Sequence, residues 1–345
     1  MSTKTEIDSP KARILLVEDA ESILLTIHDY LMEEFCVTTA RTISEAKTEI
    51  DTSLRENKPF HLLVTDIRLP DDTGFELVKL IKEKSPATRI SLITSYEINR
   101  FIDFIYEHEI DQVFTKHSNL SLHDIRVMAR KSITGDIFGV EKYFKEIEIF
   151  YPSEMKNITK PANRQLFSVT IKSTEDKVFW MNEVSTILEK EKGMPLAVGK
   201  LILDELLTNA IVRAARHEDG SFKYQHRHGD SDILVPNDEI ELAPEDYVIL
   251  QYGYYDDWVI ITCKDPHGTL RKKEVLYRLR RHIAVNPQSS LPEGIADSHG
   301  RGIFLLREHL TYLIFNIEKN RKTEVLAFYH PGQDTPYKNI SVYET

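Results

Sequence analysis

Along the first 133 residues, short apolar runs alternate with stretches whose apolar positions recur every three or four residues. RILLV, CVTT, HLLVT, ISLIT and QVFT have the length and composition of buried strands, while ESILLTIHDYLMEEF and FELVKLIKEK carry helical spacing. Five such units predict an α/β fold with a doubly wound, five-stranded parallel sheet. A different pattern follows. LFSVTIKS reads as a strand, TEDKVFWMNEVSTILEKEKG as an amphipathic helix ending at Gly193, and PLAVGKLILDELLTNAIVRAAR as a second helix opened by Pro195. After a polar stretch come two strands, YVILQYGYYD and WVIITCKD, then a basic helical run, a glycine pair, another helix and a final strand, KTEVLAFY. Helices packed on one face of a mixed sheet account for that order. The joint between the two patterns is mixed, with Gly139, Pro152 and Pro161, and reads as a short helix and an extended linker. The expected organisation is a first domain over 12–133, a linker over 134–165, a second domain over 166–330 and a tail over 331–345.

Composition fits two globular domains: 345 residues, 41% hydrophobic and 29% charged. The formal net charge is −11, both halves are acidic and no basic tail is present, so no nucleic-acid partner is expected. No apolar run is long enough for a membrane span and MSTKTEIDSPKAR has no signal-peptide core, so a cytoplasmic protein without membrane attachment is expected. The two cysteines, Cys36 and Cys263, lie far apart and outside any CxxC pair; both are read as small core residues.

Polar residues stand at the C-terminal ends of the predicted parallel strands, where such a sheet has its functional crevice. Glu18 and Asp19 follow the first run, Asp66 the third, Thr94 the fourth and Lys116 the fifth. Three converging carboxylates repel unless a hard cation such as Mg²⁺ neutralises them. A lysine and a hydroxyl aimed at the same point suit phosphoryl oxygens. The loop IRLPDDTG leads onward with Pro70 and Gly74 as turn residues. On these positions residues 12–133 resemble a response-regulator receiver domain. The resemblance implies that Asp66 is the phosphoacceptor, taking a phosphoryl group from a phosphohistidine or small phosphodonor. It also implies that Glu18, Asp19 and Asp66 hold Mg²⁺, and that Thr94 and Lys116 report and stabilise the phosphoryl group. Two positions depart from the pattern. Val113 stands where Tyr or Phe is common, with Phe114 on the opposite face of the strand. His117 stands where proline usually follows the lysine, so a trans bond is expected there.

In the second domain, Glu205 and Asn209 sit one turn apart on an otherwise apolar helix, so their face either meets solvent or holds something polar. Asp265 and Gly268 form DxxG, and Gly300 and Gly302 form GxG before the helix IFLLREHL. In this order the set resembles the nucleotide site of the GHKL ATPases, an α/β sandwich, from about Leu166 to Tyr329. The resemblance implies Asn209 as a ligand of Mg²⁺ on ATP phosphates, Asp265 as acceptor of the adenine amine, Gly268, Gly300 and Gly302 as nucleotide-binding glycines, and Thr323 as adenine support. Glu205 would be the general base, as in anti-sigma-factor serine kinases; gyrase-type relatives use the same glutamate to activate water, so kinase and hydrolase both stand. Leu270 occupies the place of the second glycine in the family's DxGxG. The long interval between Asn209 and Asp265 is read as a partner or regulatory insertion.

His217, His226 and His228 read as a solvated hairpin rather than a metal site. RKKEVLYRLRR, 271–281, reads equally as a lid over phosphate or as an exposed helix face. HDIR at 123–126 is similar to the start of a histidine-kinase phosphoacceptor box, but His123 falls in the last receiver helix with no room for a two-helix hairpin. The expected function is a two-component response regulator whose output domain is an ATP-dependent serine/threonine kinase of the anti-sigma type. An upstream histidine kinase, an anti-sigma antagonist or sigma factor, and a second copy of the chain are the expected partners. The alternatives are a non-catalytic ATP-binding or nucleotide-free sequestering module, a weak ATPase, and an atypical histidine kinase.

Overall fold

The computed structural model describes residues 11–116, 121–151, 161–224, 239–284, 293–294, 301–332 and 338–345. The chain forms two compact units, Met1–Ser95 with Ile110–Asp136, and Tyr96–Glu109 with Ile137–Thr345.

The first unit contains β1 (Arg13–Val17), α1 (Glu21–Met32), β2 (Cys36–Ala40), α2 (Ile43–Arg55), β3 (Leu62–Asp66), α3 (Phe75–Lys84) and β4 (Arg89–Thr94). The short helix α4 (Ile102–Glu107) belongs to the second unit, after which β5 (Gln112–Thr115) and α5 (Leu122–Thr134) complete the first. The strand order is β2-β1-β3-β4-β5, all parallel, with each strand beginning close to where its apolar run begins. β3 is buried at every position, as a strand covered on both faces must be. β2 lies at the edge, and for that reason Cys36, expected in the core, is exposed. Helix starts follow local chemistry: the Thr42 side chain accepts from Glu45 N at 3.1 Å to open α2, and Ser121 does the same for Asp124 N at 3.2 Å in α5.

The second unit is built on a mixed sheet in the order β12-β10-β11-β9-β8-β7-β6. Its strands are β6 (Glu148–Phe150), β7 (Gln165–Ile171), β8 (Val248–Tyr255), β9 (Trp258–Asp265), β10 (Tyr312–Glu318), β11 (Lys322–Tyr329) and β12 (Asn339–Glu344), with helices α6 (Thr174–Lys192), α7 (Leu196–Thr208), α8 (Lys272–Ile283) and α9 (Gly302–His309). The pairs at the two ends of this order, β10 with β12 and β6 with β7, are parallel; the inner pairs are antiparallel. α7 begins directly after Pro195, as expected, and α6 ends at Gly193 in the left-handed region, φ +66°. Beyond Thr208 the helix widens into a π turn, Asn209–Arg213, so Asn209 sits at a break in the regular ladder.

Three expectations are corrected here. KTEVLAFY is not the final strand, because the segment expected as a tail supplies β12, parallel to β10 and buried along nearly its whole length. The Glu344 carboxylate then accepts Lys272 N at 2.8 Å, capping the start of α8. From Ile137 onward the described part of the segment expected as a linker likewise belongs to the second unit: β6 pairs with β7, and Tyr143 and Phe144 meet the Phe328 ring edge to face, with centroids 5.5 and 4.9 Å away. Finally, β10 comes from YLIFNIE, an apolar run lying directly after α9 that periodicity alone does not separate from the helix.

Candidate functional site

At the C-terminal edge of the first unit's sheet, the ligand oxygens of Glu18, Asp19 and Asp66 lie within 4.8 Å of one another. β1 delivers the first two and β3 the third, because parallel neighbours in register end at the same level. Lys116, directly after β5, places Nζ 2.6 Å from both Glu18 Oε2 and Asp66 Oδ2. The lysine, Glu18 and Asp66 side chains are 9%, 2% and 9% exposed. Burial pushes the Glu18 carboxyl up, against the opposing pull of Lys116. Burial alone would lower Lys116, but its hydrogen bonds to Asp66 and Glu18 outweigh that and raise it. Such a set can hold a divalent cation and, with the lysine, a phosphoryl group. Thr94 is buried at the end of β4, and its carbonyl accepts Lys116 N at 2.7 Å.

The loop after β3 is fixed by close packing. A Cβ on Gly74 would lie 2.0 Å from the Asp66 carbonyl oxygen, so only glycine fits there. Asp71, read only as part of that loop, reaches across to accept Ile43 N and Ser44 N at 2.8 and 3.0 Å, capping α2. Burial works against its ionisation, yet these hydrogen bonds hold its carboxyl below the usual range. Val113 and Phe114 are both buried in β5, and His117 lies outside the described residues.

In the second unit a cavity of about 700 Å³, open mouth included, is lined by Asn209, Asp265, Thr269, Leu270 and Thr323 together with Leu206, Cys263, Ile303 and others. Asp265, at the end of β9, accepts His267 N and Gly268 N through Oδ1 at 3.0 and 3.2 Å. Burial pushes its carboxyl up, and those amides oppose the rise. Thr323 faces it across the β9–β11 ladder, its hydroxyl buried and outside hydrogen-bonding geometry. Gly268 has φ +58°, and a Cβ there would lie 2.1 Å from the Glu318 carbonyl oxygen. Arg271 clamps the same turn, donating to the carbonyls of Gly268 and Leu270 and to Asn320.

Glu205 stands apart from the cavity lining and packs on the first residue of α9. A Cβ on Gly302 would lie 1.7 Å from Glu205 Oε2. Burial raises the Glu205 carboxyl, with Arg213 the main opposing charge. The structure thus brings Asn209, Asp265, Leu270 and Thr323 to one cavity, sets Gly268 behind Asp265 and pairs Gly302 with Glu205. Gly300, His226 and His228 lie outside the described residues. His217 is exposed in a tight turn, and His123 occupies the first turn of α5.

Residues 14–126 match the response regulator receiver domain family. Residues 14–126 are a response regulator receiver domain. Among curated relatives, response regulator protein PilR of Pseudomonas aeruginosa is 40% identical over 57 residues, 16% of this chain and 12% of that protein. Photosynthetic apparatus regulatory protein RegA of Cereibacter sphaeroides is 30% identical over 84 residues, 24% and 43% of the respective chains. The alginate biosynthesis transcriptional regulatory protein AlgB of Pseudomonas putida is 31% identical over 97 residues, 28% and 20%. This chain therefore spans less than half the length of each. A CheY-like receiver domain from Methanospirillum hungatei covers 37% of this chain and 96% of its own, at 28% identity and a TM-score of 0.33. Receiver domains typically bind Mg²⁺ at an acidic pocket, and Glu18, Asp19 and Asp66 supply one here. Among the described residues no helix is long and apolar enough to cross a membrane.

Several cavity residues were not read from the sequence. Arg213 lies one turn beyond Asn209, a spacing that could have marked it. Arg278 and Glu274 come from α8, so part of the basic run does face the cavity; Arg216 and Phe222 come from the insertion. Cys263 behaves as expected, a buried thiol pushed up by burial.

Proposed function

We propose that the receiver domain controls an ATP-binding output domain that acts as a serine/threonine protein kinase of the anti-sigma type or as a partner switch. Asp66 is the phosphoacceptor, supplied by an upstream histidine kinase, with Glu18 and Asp19 as its Mg²⁺ partners and Lys116 and Thr94 on the phosphoryl group. In the output domain Asp265 and Thr323 take the adenine edge, Asn209 holds Mg²⁺ on the phosphates, Gly268, Gly300 and Gly302 admit the nucleotide, and Glu205 is the base. The single observation that carries this reading is the convergence of Asn209, Asp265 and Thr323, from three separate elements, on one largely apolar cavity. Half-buried arginine neighbours suit it as well: Arg213 and Arg278 offer charge to phosphates.

Burial at the start of α9, against Gly302, raises the Glu205 carboxyl and so makes it a stronger proton acceptor when ionised. ATP labelled in the γ-phosphoryl group, Mg²⁺ and the chain are incubated with serine- and threonine-bearing partner proteins. Transfer by the wild type and its loss in Glu205→Ala is the expected result; identical behaviour of the two proteins rejects the kinase reading. Binding of ATP without transfer assigns the domain as a nucleotide-held sequestering module instead.

A nucleic-acid-binding output is the second reading, favoured by the transcriptional regulator among the relatives. The acidic net charge of −11 argues against it. Retardation of DNA fragments by the full chain at low salt would support that reading over the kinase.

A further inference from the structure

The interval between Asn209 and Asp265 returns to the cavity rather than leaving the domain at once. Directly after the π turn the chain folds into a tight hairpin, with Arg216 paired to Phe222, His217 N donating to Ser221 O at 2.9 Å and Gly220 turning the corner at φ +83°. Arg216 Nη1 donates to the Gly220 carbonyl at 3.0 Å, and its guanidinium lies 4.4 Å from the centre of the Phe222 ring. Arg216 and Phe222 both line the cavity that holds Asp265 and Thr323. The ring and the guanidinium together make a flat conjugated surface on one side of a cavity whose lining also includes Phe315 and aliphatic side chains.

This surface is tied to the Asp265 turn at two points. Thr269 Oγ1 donates to the Ala214 carbonyl at 3.0 Å, joining the DPHGTL segment to the start of the hairpin. At the other end Lys223 and Tyr224 both donate to the buried Asp246 carboxylate, whose other oxygen lies 2.9 Å from His267 Nε2. Burial opposes ionisation of Asp246, but the bonds from Lys223 and Tyr224 outweigh it and keep the carboxyl low. Tyr224 in turn accepts Ala243 N at 2.8 Å. These bonds form a buried ionic latch at the base of the hairpin. Here the latch sets Phe222 at a fixed place relative to the carboxylate that reads the base.

We infer that the hairpin Arg216–Tyr224 is the base-side wall of the nucleotide cavity, and that Phe222 is its stacking residue, lying against the purine whose amine Asp265 accepts. This deepens the reading of the cavity as an adenine-nucleotide site and rests on it. Leu270, in place of the family's second glycine, lines the same cavity, and a side chain there takes room that a glycine would leave to the nucleotide. An aromatic wall supplied by the insertion offsets that loss by providing contact area of its own.

The test is calorimetric titration of the full chain with ADP and Mg²⁺, for the wild type, Phe222→Ala, Phe222→Trp and Ser221→Ala, with thermal melting to establish that each variant is folded. Base stacking on an aromatic ring of this kind corresponds to roughly a tenfold or greater change in affinity. Phe222→Ala is expected to weaken ADP binding by at least about tenfold, while Phe222→Trp and Ser221→Ala stay close to the wild type. Unchanged affinity in Phe222→Ala overturns the inference and leaves the nucleotide site standing. Equal weakening in all three variants also overturns it, since the hairpin would then act only as scaffold. A wild type that takes up no ADP at millimolar concentration removes the nucleotide reading, and the inference with it.

Discussion

Replacing Gly302 by alanine isolates the contact between α9 and Glu205. The added Cβ would lie 1.7 Å from Oε2, 2.3 Å from Cδ and 2.8 Å from Oε1, all atoms at the far end of one flexible side chain. Ordinary contact begins near 3.4 Å, so the carboxylate must retreat by about 1.7 Å while the backbone of α9 stays in place. Overpacking of this kind costs about 1–3 kcal/mol. Because the whole clash is with the Glu205 carboxyl, the cost should vanish when that group is removed. A double-mutant cycle on urea unfolding, with Gly302→Ala, Glu205→Ala and the pair, is expected to give a coupling energy of at least about 1 kcal/mol. Displacing a catalytic group by ~1 Å costs ~10²-fold in rate, so phosphoryl transfer from ATP should fall to the level of Glu205→Ala in the glycine variant. An equal cost of Gly302→Ala in both backgrounds would refute the reasoning, because the residue would then be constrained by something other than Glu205.

Other outcomes follow from the same geometry. Lys116→Met leaves Glu18 and Asp66 buried without their cation, and should destabilise the receiver domain by about 3–5 kcal/mol in chemical denaturation, with partial recovery on adding Mg²⁺. Since Lys116 is raised, its contribution is complete at neutral pH and is lost only as pH climbs through its folded value; a neutral effect of the variant would contradict the ion cluster. Glu205 is also raised, so its folded carboxyl binds a proton more tightly than the unfolded one, and ionising it destabilises the fold. Glu205→Gln should therefore raise the melting temperature at neutral pH, with a gain that shrinks toward about pH 4; a gain independent of pH would count against burial as the cause. Gly268→Ala meets the backbone oxygen of Glu318 at 2.1 Å at a left-handed φ, so it should cost about 3 kcal/mol or more and not be rescued by any side-chain change.

The receiver domain was legible almost residue for residue because its strands are short apolar runs punctuated by polar ends. HLLVT predicts β3 to within a residue, and Asp66 stands at its end because the register of parallel strands requires it. In the second unit, motif spacing pointed to Asn209, Asp265 and Thr323, and the cavity gathers all three. What escaped notice did so for identifiable reasons. NISVYE forms β12 but is buried without alternation and follows a turn-rich stretch, so it looks like a tail. TYLIFNIE merges with the apolar helix before it. Phe222 and Arg216 sit in a polar insertion whose composition says loop, and only tertiary latching through Asp246 and Thr269 brings them to the cavity. Cys36 was misplaced because edge position is a property of sheet order, not of the strand's own residues.

MgATP binding by the second unit underlies the proposed kinase, switch and hairpin roles alike. Titration of the full chain with ATP and Mg²⁺ in a calorimeter, with and without beryllofluoride on Asp66, tests it directly. Saturable one-site binding by the wild type, lost in Asn209→Ala and Asp265→Asn and shifted when beryllofluoride occupies the receiver domain, is the predicted result. Absence of heat at millimolar ATP in either state of the receiver domain, or binding that survives both substitutions unchanged, would contradict it.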